Sequence, residues 1–354
     1  TPIQIGLFFS VIGLCGLIAE IPTGLIADKQ GRKFSGLTGV ALIAAAPLII
    51  FFGHTFSAYL VAASFYGVGR AFLSGALDSL VYDHKNVSKA VYRRVNVLEI
   101  TWGQAGILVS AAFGGVLFSV NNSLPFITEA VAGMLCLVII LCMKEEHKDG
   151  YIKSTSTHRK HFTESLRHLL ATKYLRVIVL MGITFSVMLG MCIQFVHEAS
   201  MIEHGLQATS RGFLISGAGV VTLIILNLFL LRLIKSDNAR LLYMSCGAFA
   251  AYSLMSLGVL PLFMLGYLIW CCLNATSSFI RLMIQDRIPS SHRSTIMSSY
   301  TTLAVLLGMG ASIGTGWLVE WAGTPRAGYL AFAVISVAVV APCAAWLITN
   351  SSMR

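Results

Sequence analysis

The sequence predicts an all-α integral membrane protein, and three observations carry that prediction. Hydrophobic residues make up 56% of the 354 and charged ones only 11%, with a mean hydropathy of +0.79. A water-soluble fold of this size cannot hide so much apolar surface. The apolar residues gather into eleven runs, most of them near the roughly 20 residues that cross about 30 Å of hydrocarbon as a helix. Basic residues also keep to alternate loops: of the 25 Lys and Arg, all but Arg70, Arg211 and Arg326 fall on one side of these runs. Such an excess marks the cytoplasmic side.

The runs lie at 5–27, 36–52, 57–79, 95–119, 126–143, 175–196, 213–233, 241–260, 261–283, 295–319 and 327–348. The loops after the odd-numbered runs hold the basic residues, which puts them and the C-terminus inside the cell. The net charge of +10 follows this one-sided pattern and does not mark a nucleic-acid surface. The eight cysteines fall singly or as Cys271-Cys272 within apolar runs, with no C-x-x-C or His spacing, so they read as small buried hydrophobes and imply neither disulfides nor a zinc site. No signal peptide is visible, and a chain opening at Thr1 is expected to continue a longer gene product.

The longest loop, 144–174, separates five runs from six. It divides the chain into an N-terminal bundle (1–143), a cytoplasmic linker (144–174) and a C-terminal bundle (175–354). Within the linker Phe162, Leu166, Leu169 and Leu170 recur at helical spacing, as for an amphipathic helix on the inner leaflet. Gly103, Gly106, Gly114 and Gly115 are echoed about two hundred residues later by Gly308, Gly310, Gly314 and Gly316, a faint internal repeat.

Between the first two runs stands Gly24-Leu25-Ile26-Ala27-Asp28-Lys29-Gln30-Gly31-Arg32-Lys33, closed by Leu37. This stretch resembles the loop signature of the major facilitator superfamily, G-x-x-x-D-[RK]-x-G-R-[RK] followed by an apolar residue, with every fixed position filled. The resemblance implies two pseudo-repeated six-helix bundles and a secondary transporter working by alternating access. It makes the visible runs that family's helices two to twelve, the first helix being absent. It also implies that Gly24, Asp28, Gly31, Arg32 and Lys33 form a conformational latch, with Asp28 by the start of helix eleven and Arg32 reaching Asp78 or Asp83 at the inner end of helix four. Without the resemblance, the same residues read as a charged stop after a membrane span.

Two charges fall inside spans. Glu20 lies eight residues before Asp28, and Arg70 eight before Asp78, so both sit about 12 Å deep at 1.5 Å per residue. They make a structural ion pair or a coupling site, which Glu99 can join. The resemblance lines the central cavity with helices four, seven and ten, whose polar residues include Ser64, Tyr66 and Ser74; Thr184, Ser186 and Gln194; and Tyr267, Trp270, Asn274 and Thr276. Tyr66, Gln194, Trp270 and Asn274 are the substrate candidates, Trp270 and Asn274 foremost. Ser and Thr ordinarily bond back to their own helix, and Asn commonly joins helices. His197, Glu198, Glu203 and His204 cluster where the sixth run ends and are expected in a solvated outer loop.

Ser110-Ala111-Ala112-Phe113-Gly114-Gly115 departs from the G-P-x-x-G-G of drug-proton antiporters in that family, and Ala63 stands where a common helix-four pattern has Arg. Antiport is therefore not supported. The interior is rich in Trp, Met and Phe, which favours a moderately hydrophobic small-molecule solute, with uptake of a polar metabolite or a transport-inactive receptor as alternatives. Protons are the expected coupling ion, because no G-x-x-x-x-G-K-[ST] loop is present for nucleotide. No acid, base, nucleophile or metal ligands cluster at one depth, so neither an enzyme nor a cofactor is expected. The expected setting is a monomer in a bacterial inner membrane, surrounded by lipid and without nucleic acid.

Overall fold

A computed structural model describes residues 1–74, 89–143, 172–226, 234–288 and 293–350. Among the described residues all regular structure is helical: α1 (Pro2–Gln30), α2 (Arg32–Gly53), α3 (Phe56–Leu73), α4 (Lys89–Val120), α5 (Leu124–Cys142), α6 (Lys173–Met191), α7 (His197–Glu203), α8 (Ala208–Ile225), α9 (Asp237–Ser256), α10 (Leu260–Ala275), α11 (Ser278–Gln285), α12 (Arg293–Ala322), α13 (Arg326–Ile335) and α14 (Ala341–Thr349). Among the described residues ten helical segments are long and apolar enough to cross a membrane. The remaining expected run, the eighth, is α9, a 20-residue helix whose first turn carries Asp237 and Arg240.

Three runs differ from a plain helix. The sixth does not stop at Val196; it widens into a π turn over Cys192–Val196 and continues as α7 to Glu203. The ninth breaks after Ala275, where the Thr276 hydroxyl turns back onto the Cys272 carbonyl at 2.9 Å and α11 restarts at Ser278. The last run carries a π turn over Ser336–Val340 immediately before Ala341-Pro342. Pro342 has no N–H to give to the preceding turn, and a widened turn relieves its ring's clash there.

The chain divides into two compact units, Leu7–Ser156 with Ala208–Phe213, and Thr1–Gly6 with Thr157–Gln207 and Leu214–Arg354. The residues expected to link the halves, 144–171 with the amphipathic stretch around Leu166, lie outside the described residues.

The N-terminal unit is assembled through small residues. A Cβ on Gly39 of α2 would stand 2.8 Å from the Gly69 carbonyl oxygen of α3, and one on Gly69 would stand 2.8 Å from that of Gly39. Gly67 lies as tightly against the Ile12 carbonyl of α1, and Gly133 of α5 against Ala44 of α2. Such contacts let backbones approach where lipid supplies no hydrophobic drive for helix association. The Thr23 hydroxyl donates to Ala71 O (3.3 Å) and Ser35 Oγ to Phe72 O (2.8 Å), tying α1 and α2 to the C-terminal end of α3.

The C-terminal unit holds a continuous core drawn from α6, α9, α10, α13 and α14. Ile178, Met181, Met244, Tyr252, Phe263 and Tyr329 are among its fully buried side chains. Mixed Met and aromatic packing of this kind fills irregular gaps between helices.

Candidate functional site

The charged turn folds as a one-residue break. α1 ends at Gln30, α2 begins at Arg32, and Gly31 alone joins them at φ 102° and ψ 155°. That conformation is essentially restricted to glycine, so the second glycine of the stretch is dictated by geometry. Lys33 then reaches across the N-terminal unit: its Nζ donates to Leu141 O at 2.7 Å and Met143 O at 2.6 Å. These carbonyls end α5, so the ammonium satisfies acceptors the helix leaves open and sits at the negative end of its dipole. Gly24 is exposed, and a Cβ there would meet nothing within 4 Å. The Asp28 side chain, Asp78 and Asp83 lie outside the described residues.

Glu20 on α1, Arg70 on α3 and Glu99 on α4 are exposed, and among the described residues no ion pair joins Glu20 to Arg70. Tyr66 is half-buried on α3, while Ser64 bonds back to Leu60 O at 2.9 Å, as a hydroxyl within a helix does.

In the C-terminal unit two of the sequence-chosen residues fall on irregular backbone. Gln194 sits in the π turn, 3.0 Å from Ser312 Oγ of α12, which is itself 3.0 Å from the Gly6 carbonyl of α1. Asn274 is exposed in the last turn of α10, at the break, where its carbonyl accepts the Ser277 hydroxyl at 2.7 Å. Wide turns and broken helices inside a membrane persist where they line a cavity or serve a site. Trp270 is only 4% exposed and Tyr267 6%, both packed into the core. Thr184 lines an apolar groove of about 360 Å³ between α6, α12 and α13, together with Met188, Leu307, Thr315 and Phe332.

The expectation for His197 is corrected. It is 6% exposed, because helix continues through the segment expected to be a solvated outer loop. Its Nδ1 and the Tyr329 hydroxyl of α13 share a hydrogen bond of 2.7 Å, and its ring stands edge-on to Trp270 at 4.3 Å. The signal was present in the sequence: no Gly or Pro interrupts the chain between Gln194 and Gly205, so nothing stops the helix at Val196. Glu203, at the end of α7, accepts from Thr324 Oγ1 at 3.0 Å and pairs with Arg326 Nε at 3.2 Å. One of the two basic residues on the sparsely charged side is thus neutralised.

At the opposite end of this unit Asp237 lies 3.1 Å from Arg240 and 3.7 Å from Arg287, and the two guanidiniums also cover the rings of Phe279 and Tyr174. Counting basic residues by loop did not reveal this cluster, because it joins α6, α9, α10's continuation α11 and the turn after it. Among the described residues no group of three or more His, Cys, Asp or Glu is placed to hold a metal ion.

Comparison with known proteins bears on the whole arrangement. The solved structures it resembles include a variant of the nucleoside transporter NupG, with TM-score 0.78, 14% identity and coverage of 97% of this chain and 90% of the other. A bacterial homolog of the human lysosomal transporter Spinster, inward-facing and unoccupied, gives 0.74 at 16% identity, covering 99% and 91%. Among curated relatives, a probable vesicular acetylcholine transporter of Danio rerio is 26% identical over 39% of this chain and 28% of its own length. The chromaffin granule amine transporter of Rattus norvegicus is 27% identical over 40% and 27%. The quinolone resistance protein NorA of Staphylococcus aureus is 21% identical over 44% and 38%. The aligned region thus spans between about a quarter and two-fifths of these relatives. The family model described as Major Facilitator Superfamily matches residues 1–312, and the chain belongs to that superfamily of multi-pass membrane transporters.

Proposed function

We propose that this chain is the membrane-spanning body of a secondary active transporter that moves a small, moderately hydrophobic organic solute by alternating access, coupled to protons. The supporting observation is the Gly31 break: a complete charged signature folded as a hinge one residue long, with Lys33 fastening it to α5. The one-residue turn holds the charged signature at the ends of two helices of one unit, where its side chains can make or break contacts without unwinding either helix. Asp28 and Arg32 supply the latch, with Asp78 or Asp83 as Arg32's partner. A charge near a helix end contributes about 0.3–1 kcal/mol when exposed, enough to bias two states without locking one.

Glu20, Arg70 and Glu99 are offered as the intramembrane charges that respond to the coupling ion, and Tyr66, Gln194, Trp270 and Asn274 as the groups nearest the solute's path. Solute class is supported by the apolar lining around Thr184 and by the names of the relatives, which speak of acetylcholine, amines and quinolones. Uptake of a polar metabolite is the second reading, favoured by the nucleoside transporter and the D-xylose-proton symporter among the structural neighbours. The protein is assigned to a bacterial inner membrane as a monomer, with its hinge and C-terminus in the cytoplasm.

The test is a flux assay on the chain in proteoliposomes under an imposed pH gradient, with ethidium, a radiolabelled nucleoside and a radiolabelled pentose as probes. Ethidium is expected to move and to stop when the gradient is collapsed. Asp28→Asn is expected to cut that flux at least tenfold while membrane insertion is unchanged. A pentose or nucleoside flux in its place selects the second reading, and unaltered flux in Asp28→Asn removes the latch.

A further inference from the structure

α7 carries two imidazoles seven residues apart, His197 and His204, the second at its C-terminal cap. Two helical turns bring both to one face, about 10 Å apart at 1.5 Å per residue. Against that face lies an aromatic ladder on α10, where Phe263, Tyr267 and Trp270 follow one another at spacings of four and three. The rings of Phe263 and Tyr267 are 6.1 Å apart and 16° from parallel, those of Tyr267 and Trp270 5.9 Å and 14°. His204 rests on the first rung, 5.1 Å from Phe263. His197 stands edge-on to the other two, 5.0 Å from Tyr267 and 4.3 Å from Trp270.

The packing leaves polar atoms unmet. Nε2 of His197 and Nε2 of His204 are both buried without a hydrogen-bond partner. An unmet buried polar atom is costly, and aromatic side chains without nitrogen would fill the same volume at no such cost. Two imidazoles with the same nitrogen unmet, set along one track that starts at the end of a membrane span, fit a group that enters the track. The occupant must be small and must bind a lone pair on nitrogen. A proton, carried by water, meets both conditions.

We propose that His204 and His197 are the entry and the seat of a proton-binding path in the C-terminal unit. His197 Nδ1 keeps its hydrogen and donates it to the Tyr329 oxygen, 2.7 Å away. That leaves the Nε2 lone pair to take the incoming proton, which reaches it by way of His204. The ring gains one positive charge and no covalent bond other than N–H changes. Tyr267 and Trp270 border the new cation, and aromatic rings favour cations they touch. The charged and titratable neighbours are Glu198 and Glu203 on α7, Cys192 in the π turn, Tyr252 on α9, Tyr267 and Cys271 on α10, and Tyr329 and Arg326 on α13. Of the two carboxylates on α7, Glu203 pairs with Arg326 and Glu198 lies close enough to Tyr267 for its charge to be felt there. The proposal rests on the proton-coupled reading and assigns it an ion site separate from Glu20 and Arg70.

Trp270 supplies the readout, because an imidazolium quenches the indole it touches. The chain in lipid nanodiscs is titrated from pH 8 to pH 3 by tryptophan emission, and the Trp270→Phe spectrum is subtracted to isolate this indole. Emission from Trp270 is expected to fall at least twofold on acidification, and His197→Gln is expected to abolish the fall. His204→Gln is expected to keep the end point but slow the quench severalfold after a stopped-flow pH jump. Elution as a single monodisperse species certifies that each variant is folded; should His197→Gln fail this check, His204→Gln decides alone. A Trp270 signal indifferent to pH, or one that survives in His197→Gln, overturns the site, as does an unchanged rate in His204→Gln. Flux in proteoliposomes separates this from the broader reading. Gradient-driven ethidium movement that both variants retain sinks the site and leaves proton coupling standing, whereas titration at His197 without gradient-driven flux of any probe sinks the coupling and leaves the site.

Discussion

Gly31 shows what a single position can dictate. At φ 102° and ψ 155° any side chain is strained by on the order of 1–3 kcal/mol, so Gly31→Ala is expected to lower the melting temperature in detergent. Gly24→Ala, whose added methyl meets nothing, is expected to leave it unchanged. Lys33 makes a second case. Lys33→Ala removes two donors from the end of α5 and is expected to cost about 1 kcal/mol, seen as a lower thermal midpoint and faster hydrogen exchange at residues 140–143. Lys33→Arg restores most of the loss if capping is the cause; an equal loss in both variants rules capping out. These residues were legible because their chemistry is contiguous: ten consecutive positions carry the whole signature. The surroundings of His197 were not, since Trp270 and Tyr329 meet it only through packing of helices distant in sequence.

Helices were the most legible element, because a run long enough to span lipid leaves few alternatives once every backbone group must be satisfied internally. What the runs concealed was their irregularity. Only the π turn before Pro342 has a sequence cause in plain view; the one holding Gln194 has none. Of the echoed glycines, one in each set of four seats a neighbouring segment. Gly115 of α4 would press a Cβ to 2.5 Å from the Ala208 carbonyl oxygen of α8, and Gly316 of α12 to 2.6 Å from that of Pro2. Gly103, Gly106, Gly114, Gly308, Gly310 and Gly314 meet nothing within 4 Å. Gly115→Val and Gly316→Val are therefore each expected to destabilise by on the order of 1–3 kcal/mol through forced separation of helices, while Gly114→Ala and Gly314→Ala stay close to the parent. Thermal midpoints of the four purified variants check this, and equal midpoints would mean these approaches are not close enough to matter.

By sequence, all but three of the 25 basic residues belong to alternate loops, and Arg326, one of the exceptions, is paired with Glu203. A basic loop is retained on the cytoplasmic side because its translocation is disfavoured, so the pattern predicts an absolute orientation that packing alone does not. Single cysteines placed in a background lacking the eight native ones test it, with a membrane-impermeant maleimide applied to right-side-out vesicles. Asn122→Cys and Gln207→Cys occupy exposed turns on the sparsely charged side and are expected to label at once. Gln30→Cys, at the hinge, and Lys235→Cys, just before α9, are expected to label only after the vesicles are opened. Labelling in the reverse order would put the hinge outside the cell. The latch would then lie where it cannot close the path against the external medium, and the assignment of Asp28 would fall with the topology.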